Sequence, residues 1–173
     1  MMRILVYGAG VLGCTLARDF FKVGKDVTLL ARGKWAETIK TNGLCIKNYV
    51  LPMKSTVRVP VVTELASEDE YDVIFVAARY TQVATILDAL RANKSKNVVF
   101  LGNNVQPEKL VTALPEKNVM FAFASSAGHR EQDRIVSVDL KKITIGQLRG
   151  VQSNEQLIQK IFARTGYKVT YEP

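Results

Sequence analysis

The sequence predicts an α/β fold of the doubly wound kind: a mostly parallel sheet with helices on both faces and a late antiparallel strand pair. Short apolar runs alternate with stretches whose apolar residues recur at helical spacing. Two of those runs, residues 3–7 and 72–77, are continuous, as in strands buried on both faces. No internal repeat or low-complexity tract points elsewhere. With 173 residues, of which 47% are hydrophobic, the chain can bury one sizeable core and is small for two.

The elements follow in order. Residues 3–7 (RILVY) form a first strand, and Leu12, Leu16, Phe20 and Val23 then mark one face of a helix that Gly24 stops. Residues 26–31 are the second strand and 34–40 a short helix. Residues 44–47 and 56–62 have the β-branched content of strands, with Pro52 between them, and predict a hairpin-like insertion. The run at 72–77 is followed by Val83, Ile86, Leu87 and Leu90 on one helical face, repeating the strand-helix unit. A strand at 97–101, a short helix at 107–114 and a strand at 119–124 come next. Residues 135–139 and 142–146 read as the antiparallel pair. Ser153-Asn154-Glu155-Gln156 has the form of a capping box before Leu157, Ile158, Ile161 and Phe162, Gly166 ends that helix, and residues 167–171 are a last strand.

Composition excludes several function classes. Cys14 and Cys45 match neither a metal-ligand spacing nor a disulfide framework, and His129 is the only histidine, so no metal site is expected. No apolar stretch is long enough to cross a bilayer, and the start lacks a signal-peptide cleavage region, so the expected setting is cytoplasmic, with no membrane partner. The formal charge of +8 is spread between apolar segments. A solvated surface accounts for it first and a phosphate-bearing cofactor second; nucleic acid ranks last, because no basic and aromatic nucleic-acid motif is present.

Gly8-Ala9-Gly10-Val11-Leu12-Gly13 stands between the first strand and the first helix. Gly8 suits a tight turn, Gly10 lets backbone approach a diphosphate, and Gly13 lets the helix pack close to the strand, while the helix N-terminus attracts the phosphates. Taken alone the motif could be a glycine-rich structural turn. Its strand-turn-helix-strand setting points instead to a Rossmann-type dinucleotide-binding domain spanning residues 1–173. The second strand runs into Ala31-Arg32-Gly33-Lys34, with no acid to accept from a ribose 2′-hydroxyl. Arg32, with Lys34 nearby, suits a 2′-phosphate, so NADP(H) is the expected cofactor.

The opening RILVYGAGVLGCTLARDFFKVGKDVTLLARG and the later DVIFVAARYTQ resemble the ketopantoate reductases, or 2-dehydropantoate 2-reductases, which reduce ketopantoate with NADPH in pantothenate synthesis. FAFASSAG (121–128) and ITIG (143–146) resemble the family less specifically. The resemblance implies that Arg79 takes the place of a cofactor-contacting lysine. It also implies that Leu101-Gly102-Asn103-Asn104 replaces the family's Leu-Gln-Asn-Gly, so that Asn103 lies near both nicotinamide and substrate and Asn104 beside the substrate. Read as residues alone, Asn103-Asn104 could equally be a turn pair.

The same resemblance implies a helical C-terminal domain beyond Pro173 that supplies a lysine general acid and a substrate-binding acid. This chain would then be the cofactor half of a reductase of a small 2-keto acid, inactive alone, and either a piece of a longer protein or a naturally short relative. Within the chain, His129 reads as a loop histidine and Ser125 and Ser126 as hydrogen-bonded loop residues, while Tyr80, near Arg79, could be a candidate acid or equally a packing residue. A non-catalytic module that senses NADP(H) is the alternative. The chain could be a monomer or a homodimer.

Overall fold

The computed structural model describes residues 2–104, 106–148 and 154–172. Its elements are β1 (Arg3–Tyr7), α1 (Val11–Lys22), β2 (Asp26–Leu30), α2 (Gly33–Asn42), β3 (Leu44–Asn48), β4 (Lys54–Val57), β5 (Val61–Val62), β6 (Val73–Val76), α3 (Tyr80–Val83), α4 (Leu87–Ala92), β7 (Asn97–Leu101), α5 (Pro107–Ala113), β8 (Asn118–Arg130), β9 (Ile135–Gly146), α6 (Glu155–Phe162) and β10 (Lys168–Glu172).

The strands form one sheet in the order β4-β3-β9-β8-β7-β6-β1-β2-β5, with β10 also paired to β9. From β5 to β8 every neighbouring pair is parallel, and the path outward from β1 reverses direction there, which is the doubly wound topology. The continuous apolar runs now have their reason. In β1, Ile4 and Val6 enter a core with Leu16 and Phe20 of α1 and Ile158, Ile161 and Phe162 of α6, whereas Leu5 and Tyr7 enter a second core with Val83, Ile86, Leu90 and Leu110. Each face of the sheet therefore carries helices, and both sets of alternating side chains must be apolar.

Five local expectations are corrected. Residues 56–62 are not one strand. Val57 ends β4, antiparallel to β3, while Val61–Val62 pair in parallel with β2 at the far end of the sheet. Pro60 stands at the break, where its carbonyl accepts from the Leu29 N–H at 2.8 Å. The two ends of the strand order are thus joined by three residues, a span of about 14 Å at most, so the sheet rolls round α1. That is why α1 buries Gly13, Cys14, Thr15, Leu16, Ala17, Asp19 and Phe20 rather than one stripe.

Residues 135–139 and 142–146 do not pair with each other. They are one strand, β9, and its antiparallel partner is β8. A two-residue hairpin at Leu140-Lys141 would need left-handed backbone at the first position, alone or together with the second. Only Lys141 has it (φ 54), within a β8–β9 pairing whose register shifts between Ala124 and Ser126. β8 runs on to Arg130, well past the predicted 119–124, because backbone pairing with β9 extends the hairpin where side chains no longer bury.

The helix expected around Val83–Leu90 is divided into α3, a 3-10 turn at Ala84–Ile86, and α4. In the predicted capping box, Ser153 lies outside the described residues. Asn154 is the N-cap, and its side chain bonds Asn118 at 2.8 Å instead of capping α6.

Asp19 is 6% exposed yet satisfied: Arg18 donates to it at 2.8 Å, Lys141 pairs with it, and the Tyr167 hydroxyl lies 3.3 Å away while donating to Asp139 at 2.7 Å. The network ties α1 to β9 and to the residue just before β10. Burial pushes the Cys14 thiol from an ordinary 9.0 up to about 12, and burial with the Asp139 carboxylate raises the Tyr167 phenol. Both groups hold their protons longer folded than unfolded, so their contribution is complete below pH 9 and falls as pH rises from 9 towards 12. Thermal melts across that range should show the decline, and Cys14→Ala should lose part of its slope. Iodoacetamide at pH 8 should leave Cys14 unmodified in the folded chain.

Candidate cofactor site

The C-terminal ends of the adjacent parallel strands β7, β6, β1 and β2 bring the predicted site residues to one edge of the sheet. The helix after β1 packs on one face and the segment after β6 on the other, which opens a crevice between those two strands.

The loop after β1 forms the floor. Gly8 has φ +112, donates its N–H to the Leu30 carbonyl at 3.0 Å, and would place a Cβ 2.7 Å from the Ala77 carbonyl oxygen. A Cβ on Gly13 would lie 1.9 Å from the Gly8 carbonyl oxygen, so α1 can approach the strand only without one. Gly10 differs from both. It is exposed, it is the N-cap of α1, and a Cβ there would meet nothing within 4 Å.

The first intrahelical bond runs from Cys14 N–H to the Gly10 carbonyl at 2.9 Å, which leaves the amides of Val11, Leu12 and Gly13 without helical partners. No side chain caps the helix and no acid occupies its first turn. The open space before Gly10, with unengaged amides at its rim, suits the diphosphate of a dinucleotide. Ala9 turns the other way: its carbonyl accepts from the Trp35 indole N–H at 2.9 Å.

Arg32 is the exposed N-cap of α2, directly after β2, and Lys34 is exposed in the same turn. Arg32 donates to the Tyr7 hydroxyl at 2.9 Å, with its guanidinium carbon 5.7 Å from the centre of that ring. Arg79 is the exposed N-cap of α3, past the end of β6. Gly102 takes the left-handed backbone (φ 96) after β7 and donates to the Ala122 carbonyl at 2.9 Å, so the turn is made by Gly102 rather than by the asparagines. Asn103 is exposed. The Asn104 amide folds back to the Gly102 carbonyl at 3.1 Å.

Other candidates lie elsewhere or carry less. His129 sits in the outer end of β8, 56% exposed, 3.7 Å from Glu131. Tyr80 begins α3 and is 40% exposed, so it is not a core packing residue. Ser125 and Ser126 lie within β8 instead of a loop. A hollow of about 750 Å³ opens against the second half of α1, lined by Arg18, Lys54, Ser137 and Lys141 among others, away from the glycine loop. Among the described residues no helix is long and apolar enough to cross a membrane, and no group of three or more His, Cys, Asp or Glu could hold a metal ion.

Sequence reasoning missed Tyr7 and Trp35. Tyr7 was absorbed into an apolar strand, although a tyrosine ending that strand brings a hydroxyl to the crevice. Trp35 is the only tryptophan and lies three residues past Arg32, a position that carried no signal until α2 was seen beside the glycine loop.

Comparison with known proteins matches residues 4–150 to the family Ketopantoate reductase PanE/ApbA. The chain belongs to this family. As a ketopantoate reductase family member, a family of oxidoreductases, it is 37% identical over 62 residues to the 2-dehydropantoate 2-reductase of Pyrococcus horikoshii, an alignment covering 34% of this chain and 21% of that protein. The structure of 2-dehydropantoate 2-reductase from Geobacter metallireducens matches with a TM-score of 0.85 at 19% identity, over 99% of this chain and 58% of that one. A D-mandelate dehydrogenase solved with NADH and anilino(oxo)acetate matches with a TM-score of 0.82 at 17% identity, over 99% of this chain and 57% of that one. At such identities the structural likeness is one of fold. The chain spans less than two thirds of the length of these relatives.

Proposed function

We propose that this chain is the NADP(H)-binding part of an oxidoreductase that reduces a small 2-keto acid of the 2-dehydropantoate kind. The observation that carries the reading is the open, uncapped N-terminus of α1 in front of Gly10, flanked at the end of β2 by Arg32 where a 2′-hydroxyl reader would need an acid.

In this reading the amides of Val11, Leu12 and Gly13 receive the diphosphate, and Arg32, with Lys34, receives the 2′-phosphate. Arg79 adds positive charge from the β6 side. Asn103 offers its amide to the nicotinamide and to a substrate carboxylate or carbonyl, with Asn104 next to it. When bound, the nicotinamide supplies a hydride to the substrate carbonyl. The resulting alkoxide needs a proton donor. Among the described residues none at this edge fits that task, and we assign it to a lysine in a second, helical domain, since the chain spans less than two thirds of its relatives' length. Such a domain would close the exposed edge that holds Asn103 and Arg79 and exclude water from it.

Titration of this chain with NADPH, NADH and NADP⁺, followed by nicotinamide fluorescence and calorimetry, tests the reading. NADPH should bind at least about tenfold more tightly than NADH, and added ketopantoate should not be turned over. No binding of any dinucleotide would overturn the cofactor assignment. Robust turnover would show that the proton donor lies within residues 1–173.

A further inference from the structure

A further cation is linked to the glycine loop through Trp35. Arg130 ends β8, is exposed, and lays its guanidinium over the ring of Trp35, 5.5 Å from the centroid. The same indole donates its N–H to the Ala9 carbonyl at 2.9 Å. The loop therefore meets the indole at its N–H edge and the guanidinium meets it over the ring face, so one side chain contacts both. Arg130 is also a charge that acts on the Cys14 thiol, close behind the N-terminus of α1.

Among the described residues the guanidinium makes no hydrogen bond or ion pair. The neighbouring carboxylate, Glu131, is engaged by Arg134 at 3.3 Å and faces His129 at 3.7 Å, and among the described residues no carboxylate pairs with Arg130. An arginine held by an aromatic face, with no carboxylate partner among the described residues and one ring away from the loop that leads into an anion-receptive helix end, has its donors available for a phosphate.

We propose that Arg130, seated on Trp35, is a further cofactor-binding residue that donates to the diphosphate of the bound dinucleotide, while Trp35 is the positioning residue that holds the Ala9 carbonyl back and so keeps the amides of the loop facing outward. The proposal rests on the dinucleotide reading of the glycine loop and adds to it a residue from β8, a strand that lies three places from β1 in the sheet. It differs from the role of Arg32 in what it recognises. The diphosphate is common to NADPH and NADH, whereas the 2′-phosphate belongs to NADPH alone.

That difference sets the test. Arg130→Ala should weaken NADPH and NADH by the same factor, about tenfold, and should flatten the dependence of log Kd on log salt for both, because one cation has left the site. Arg130→Lys should recover part of the loss. Trp35→Phe keeps an aromatic ring under Arg130 while removing the N–H donor and the second ring of the indole, and it should weaken both dinucleotides by about threefold. Since Arg130 is exposed, the melting temperature of Arg130→Ala should match that of the parent.

If the parent chain binds both dinucleotides and Arg130→Ala binds them equally well with the same salt slope, the proposal is wrong and the cofactor reading stands. A loss confined to NADPH would place Arg130 at the 2′-phosphate and overturn the diphosphate assignment. Failure of the parent chain to bind either dinucleotide would instead remove the reading on which the proposal rests.

Discussion

Gly10→Ala is expected to abolish detectable NADPH binding while changing stability by less than about 1 kcal/mol, whereas Gly13→Ala is expected to destabilise the chain by about 3 kcal/mol or more. The two positions share one motif and differ only in what surrounds them. A methyl group on Gly10 meets no protein atom within 4 Å, and the residue already has ordinary extended backbone (φ −81, ψ −169). The new Cβ therefore costs the folded chain little and occupies the space in front of the helix that we assign to the diphosphate. A methyl group on Gly13 would sit 1.9 Å from the Gly8 carbonyl oxygen, which is backbone and has no rotamer to change. Either α1 or the turn must move, and α1 is enclosed by the rolled sheet. Chemical denaturation and an NADPH titration on both variants make the comparison. Unchanged affinity in a folded Gly10→Ala variant would place the diphosphate elsewhere.

Arg32→Ala should raise the Kd for NADPH on the order of 30- to 100-fold and that for NADH by no more than about twofold. The selectivity follows from chemistry. A guanidinium can give a phosphate two charge-assisted hydrogen bonds, and it gains nothing comparable from a ribose hydroxyl. Tyr7 sharpens the prediction. Its hydroxyl accepts from Arg32 at 2.9 Å and its ring lies 5.7 Å from the guanidinium carbon, so it holds the arginine before any ligand arrives. Tyr7→Phe removes the acceptor, retains the ring, and should weaken NADPH by about threefold without affecting NADH. Equal losses for the two dinucleotides in Arg32→Ala would remove the 2′-phosphate argument and leave the chain indifferent to cofactor type.

These expectations differ in how far they could be written from the residues alone. Gly8, Gly10 and Gly13 were legible because a strand, a turn and a helix each impose a local requirement that side-chain type reveals. Arg32 was legible because the absence of an acid after β2 is itself a local fact. Asn103 was named only through family resemblance, and the structure adds that Gly102, not an asparagine, makes the left-handed turn beside it. Tyr7, Trp35 and Arg130 carried no such signal. They lie 25, 26 and, for Trp35 to Arg130, 95 residues from the groups they touch, and only packing brings them together.

The sequence by itself determined the doubly wound α/β class, because strands buried on both faces must be apolar throughout and the intervening helices must carry an apolar stripe. It also determined the turn at Gly8–Gly13, because backbone conformation and steric clearance are set within a few residues. The tertiary structure alone decided which strands meet. The segment 56–62 is divided between opposite ends of the sheet, and β9 pairs with β8 instead of folding on itself, since backbone hydrogen bonds are indifferent to side-chain type and partners are chosen by the position of the whole sheet. The roll of that sheet encloses α1 and carries Arg130 to Trp35, a juxtaposition that no local pattern could encode.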